Sequence, residues 1–112
     1  MLIYKIFRRP EWDSMVAQGA TRGAPVDLAD GYIHLSTAAQ VMETAARHFA
    51  DQSDLVLVAV EADKLGAELR WEPSRGGALF PHLYRELRLS DVVWDKSLPL
   101  GATGHIFPEG VI

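Results

Sequence analysis

Apolar positions fall along the chain in short runs, some with the two-residue period of strands and some with the spacing of helices. Residues 2–7, LIYKIF, form a β-branched and aromatic run that stops at basic residues and Pro10, as a buried opening strand does. In EWDSMVAQG the apolar Trp12, Met15 and Val16 recur at helical spacing, with acidic residues in the first turn and Gly19 as a stop, so a short amphipathic helix follows. Residues 19–30, GATRGAPVDLAD, keep no sustained period and read as a loop, one long enough to have a role. YIHLS is the next strand. It leads into TAAQVMETAARHFA, the best helix in the chain, where Val41, Met42, Ala45, Ala46 and Phe49 make an apolar face. Thr37 and Gln40 have the capping-box spacing at its start.

DLVLVAV, residues 54–60, is apolar nearly throughout, as expected of a central strand buried on both faces. EADKLGAEL gives one turn, ELRWE (68–72) and SDVVWDKSL (90–98) give further strands, and PSRGGALFPHLY (73–84), with two prolines and a Gly pair, reads as a long loop. The tail GATGHIFPEGVI adds an edge strand or packs its apolar residues on the body. This order predicts an α+β fold with a small, mostly antiparallel sheet and two main helices, not a regularly alternating wound sheet. Residues 1–112 are expected to form a single domain, since 112 residues can bury a core without disulfides or structural metal.

Composition removes several functions. A net charge of -4 argues against binding double-stranded DNA, which needs a basic footprint to displace counterions from phosphates. The absence of cysteine excludes disulfides, thiolate nucleophiles and cysteine-ligated metals. His34, His48, His82 and His105 lack close pair spacing, so no metal site is expected. The glycines are dispersed and make no phosphate loop. With no export signal and no apolar run of membrane-spanning length, a cytoplasmic protein away from membranes is expected.

Two clusters could carry chemistry. In DGYIHLST, period two puts Tyr32, His34 and Ser36 on one strand face and Ile33 and Leu35 on the other, just before a capped helix whose free amides suit an anion. Capping alone explains Thr37, and local backbone bonding is an alternative use for His34. In RWEPSRGGALFPHLY, Arg70, Glu72, Ser74, Arg75, His82 and Tyr84 crowd into fifteen residues around Gly76 and Gly77. Arg75 could hold a phosphate or carboxylate through its planar guanidinium. The plainer alternative pairs Arg70 with Glu72 and buries Trp71 and Phe80 in the core.

Together, DGYIHLST and RWEPSRGGALFPHLY resemble the signatures of a bacterial and plant family known as domain of unknown function 952, and the resemblance covers nearly the whole chain. That family in turn resembles, at a greater distance, the ADP-ribosyltransferase fold group of NAD-using transferases and RNA 2′-phosphotransferases. The resemblance implies a split sheet with a dinucleotide cleft between its halves. It also implies that His34 and Ser36, at the group's His-x-Ser/Thr spacing, orient the ribose and the cofactor amide. Glu72 would serve as the glutamate that stabilises ribosyl transfer, and Tyr84 would stack on a ring. NAD or another nucleotide is the ligand implied. The competing expectation is a non-catalytic module in which the same residues bind a small anionic metabolite or a peptide.

Overall fold

The computed structural model describes residues 1–111, and Arg75 by its backbone alone. Its elements are β1 (Leu2–Arg8), α1 (Arg9–Gln18), β2 (Ala20–Thr21), α2 (Pro25–Asp30), β3 (Ile33–His34), β4 (Ser36–Thr37) and α3 (Ala38–His48). They continue as β5 (Leu55–Glu61), β6 (Leu69–Pro73), β7 (Leu79–Leu83), β8 (Leu87–Arg88), β9 (Val92–Leu98), β10 (Leu100–Gly101) and β11 (Gly104–His105). A large sheet runs β4-β1-β5-β9 and a smaller one β3-β7-β6, with the short pairs β2-β8 and β10-β11 beside them. Every pairing is antiparallel. The architecture is therefore α+β, with three α-helices among the described residues.

Alternation in β1 and β5 divides the core. Ile3, Phe7, Val56, Val58 and Val60 join Trp12, Met15, Ile33, Leu83 and Leu87 on one face of the large sheet. Tyr4, Ile6, Leu55, Leu57 and Ala59 join Val41, Ala45, Leu98 and Val111 on the other. The side chains of β5 are thus buried on both faces, as its unbroken apolar run requires. Each such Leu, Ile or Val contributes roughly 1.5–3 kcal/mol by leaving water.

Several expectations need correction. Residues 19–30 are not a loop: they hold β2 and α2. Six residues are too few to display a helical period, and α2 is set instead by Pro25 in its first turn and by Gly31, whose φ of 85° closes it. Residues 73–84 are not a continuous loop either, since β7 runs through them with Pro81 at its middle. YIHLS is not one strand: the chain pairs with β7 at Ile33 and His34, then with β1 at Ser36 and Thr37. Trp71 is not core. It lies on the edge strand β6 and stays 39% exposed, whereas Phe80 is buried. Val16 and Met42, assigned to apolar helix faces, are also exposed.

Pro81 explains why the chain changes sheets at Leu35. The Leu35 amide donates to the Pro81 carbonyl at 3.1 Å, so Pro81 turns its nitrogen toward β3 as well. Proline has no N–H to return the bond, and the ladder ends there. Freed from β7, the next two residues pair with Ile3 and Tyr4 of β1. The capping-box spacing is realised next: Gln40 Oε1 accepts from the Thr37 amide at 3.0 Å, and Gln40 Nε2 donates to the Leu79 carbonyl at 2.7 Å. The start of α3 is thereby tied to β7.

Candidate functional site

The site is built where the two sheets part. In β3, β7 and β6 the register sets His34 opposite His82 and His82 opposite Arg70, so three polar side chains form one rung on one face of the small sheet. Tyr32 stacks on His82 with centroids 4.1 Å apart and lies 4.7 Å from His34 and 5.2 Å from Tyr84. The Tyr84 hydroxyl donates to Glu72 Oε1 at 2.6 Å, and the same oxygen lies 2.8 Å from His82 Nδ1. Those two contacts, Tyr84 first, hold the Glu72 carboxyl below its ordinary range, while the Tyr84 hydroxyl is pushed up by the same bond. Arg70 does not pair with Glu72; its guanidinium lies over the Tyr84 ring, 4.6 Å from the centroid. Tyr32 is raised by burial and by the neighbouring charges of Asp30, Glu72 and Asp27.

His34 is held from the other side by residues to which neither sequence cluster pointed. Asp27, 1% exposed, accepts from the Ala24 amide at 2.7 Å and the His34 amide at 3.1 Å. Its Oδ1 lies 2.6 Å from His34 Nδ1, and its Oδ2 lies 3.0 Å from the buried Lys5 Nζ. Burial pushes the Asp27 carboxyl up, but the His34 bond, the Lys5 charge and the two amides pull harder, and it titrates at about 2. A Cβ at Gly23, whose φ is 108°, would run into the Asp27 side chain, so that turn is moulded on the carboxylate. On the outer side His34 Nε2 meets Asp30 Oδ2 at 3.0 Å.

Lys5 carried the signal that could have found this group. It interrupts a strand face otherwise made of Ile3 and Phe7, and a lysine there demands a buried acid. Asp27, in a stretch without visible period, answers it.

A cavity of about 880 Å³ opens beside these residues, lined by β1, α1, α2, α3 and the small sheet and including Lys5, Asp27, His34, Ser36, Phe80 and His82. Ser36 is buried on the large sheet, with its Oγ 2.9 Å from Thr44 Oγ1, so it meets His34 across the cavity and not along one strand face. Tyr32, Glu72 and Tyr84 reach the cavity through the two histidines. Five of the residues singled out in the sequence, Tyr32, His34, Glu72, His82 and Tyr84, therefore come together. The anion-binding role given to Arg75 lies outside the described side chains. Among the described residues no group of three or more His, Asp or Glu is arranged to hold a metal, and no helix is long and apolar enough to cross a membrane.

A family model described as "Protein of unknown function (DUF952)" matches residues 6–95. The crystal structure of protein CC0527 from Caulobacter crescentus is similar to this chain at 57% identity, covering 94% of this chain and 92% of that one, with a TM-score of 0.90. A crystal structure of a double mutant of CC0527 matches at 55% identity, over the same shares of the two chains, with a TM-score of 0.90. The solution structure of CC0527 matches at 58% identity over 93% and 90%, with a TM-score of 0.84. No curated protein matches.

Proposed function

The chain belongs to the DUF952 family of proteins of unknown function, and from that premise we propose that its cavity binds NAD or a related nucleotide, as a transferase of the ADP-ribosyltransferase type or a degenerate form of one. The observation that carries the reading is the meeting of His34 and His82, flanked by Tyr32, Tyr84 and Glu72, at a cavity of about 880 Å³ between two separating sheets. A cavity of that volume suits a ligand of nucleotide size, and its mixed lining offers polar groups for orientation. In this reading His34 holds the ribose hydroxyls and Ser36 the amide or a phosphate. Arg75 takes an anionic group and the tyrosines offer ring faces. Glu72 offsets the positive charge that develops on the ribose as its bond to the leaving group breaks, acting from behind His82, which lines the cavity and touches that carboxylate.

Titration calorimetry with NAD, ADP-ribose and 2′-phosphorylated RNA tests the proposal. At least one of them should bind the wild-type protein, and His34→Ala should weaken that binding by roughly two- to tenfold, the net value of a hydrogen bond to an uncharged hydroxyl. If none of the three binds, the proposal fails.

One observation favours a second reading, a non-catalytic module for a small anionic metabolite or a peptide. Glu72 Oε1 already faces both Tyr84 and His82, so the carboxylate is engaged within the protein. Such a module is stabilised by its ligand, by about 2.7 kcal/mol at 100 times the dissociation constant, without converting it. Turnover of a ligand found by thermal shift would eliminate this reading.

A further inference from the structure

Asp27 is a carboxylate with its acceptor positions filled: two backbone amides, a buried ammonium and one face of His34 converge on it. Such an anion can only accept, so the His34 nitrogen 2.6 Å away must carry a hydrogen. The ring is then fixed at Nδ1 from inside the protein and has one nitrogen, Nε2, left to work with. In the structure Nε2 faces Asp30 Oδ2 at 3.0 Å, a contact that needs one proton between the two atoms. Asp30 differs from Asp27 in its access to water. Its side chain is 44% exposed, while that of Asp27 is 0% exposed. Asp30 ends α2 beside Gly31 and lines the same cavity as His34.

We infer that Asp27 is the positioning residue of this site, holding the Nδ1–H of His34 so that the ring meets its ligand through Nε2, at the place where Asp30 puts an oxygen in the free protein. The ligand atom at that place is an oxygen, from a hydroxyl or a phosphate. The inference rests on the nucleotide reading for the identity of the ligand, but not for the state of the ring. Lys5 belongs to the device: it balances the charge of Asp27 and spares His34 that task.

Long-range proton–nitrogen NMR of the free wild-type protein reads the ring directly. Nδ1 of His34 should resonate in the protonated range. If it resonates in the unprotonated range, the inference is overturned without any variant. Asp27→Asn replaces an acceptor by an amide that can donate, which in a histidine–aspartate pair favours the opposite tautomer. Because that variant leaves Lys5 buried without its partner, Lys5→Met/Asp27→Asn is measured beside it. In whichever of these folds, the Nδ1 proton signature should be lost, and affinity for ADP-ribose should fall by about tenfold, the low end of the range for metal-bound imidazoles that lose such a partner. A folded variant that keeps the wild-type signature overturns the inference. If ADP-ribose binds neither protein while the signature changes as expected, the nucleotide reading fails and the positioning role stands. If wild type binds ADP-ribose but its Nδ1 is unprotonated, the reverse holds.

Discussion

At Asp27 a single carboxylate couples the site to the acid stability of the fold. In the folded chain it titrates at about 2 against an ordinary 3.8, so between those values the unfolded chain binds a proton that the folded chain does not. The contribution of Asp27 to stability is therefore complete above about pH 4 and is lost as the pH falls through about 2. Its size is roughly 2 kcal/mol. Denaturant titrations from pH 2 to 5 should show wild-type stability rising with pH across this window, and the slope should flatten in Lys5→Met/Asp27→Asn. An unchanged slope would mean that Asp27 is not held ionised. The sequence disclosed this residue only indirectly. The second histidine cluster was legible because Arg70, Glu72, Ser74, His82 and Tyr84 crowd into fifteen residues, whereas Asp27 reaches His34 through a turn whose shape depends on Gly23 and on Lys5 from another strand.

Elements whose sequences repeat a period were read well. β1, α1, α3 and β5 lie where apolar residues put them, because each packs apolar side chains into the core, whereas β9 is found at its place with only Leu98 buried and Val92 and Trp94 packed against the core edge. Elements held by single contacts were not. α2 depends on an Asp27 oxygen accepting the Ala24 amide, and β7 continues through a proline that would ordinarily end a central strand. Trp71 shows the same limit from the other side: its residue type says core, but β6 is an edge. The dependence of the 19–30 segment on one close contact gives a direct test. Gly23→Ala combines a φ of 108° with a Cβ that meets Asp27, so it should destabilise the protein by about 1–3 kcal/mol and shift the His34 resonances. A neutral result by thermal unfolding would show that the turn is not moulded on the carboxylate.

On the scale of the whole molecule, protection is expected to follow the depth of the sheets. β5 has paired neighbours on both sides and apolar layers on both faces, so its amides should be the slowest to exchange with deuterium. β6, which pairs only with β7 among the described residues, and the β10-β11 hairpin should exchange first. Equal protection of β5 and β6 would contradict this ordering. The stretch from Ile33 to Thr37 belongs to both sheets, with Leu35 alone separating the two pairings. An in-frame insertion or deletion at Leu35 would slip one sheet by a residue and turn either His34 or Ser36 to the wrong side. Substitution can therefore replace either residue, but the single-residue spacing between the two positions is kept by the pairing of the sheets and would outlast any ligand that the site has held.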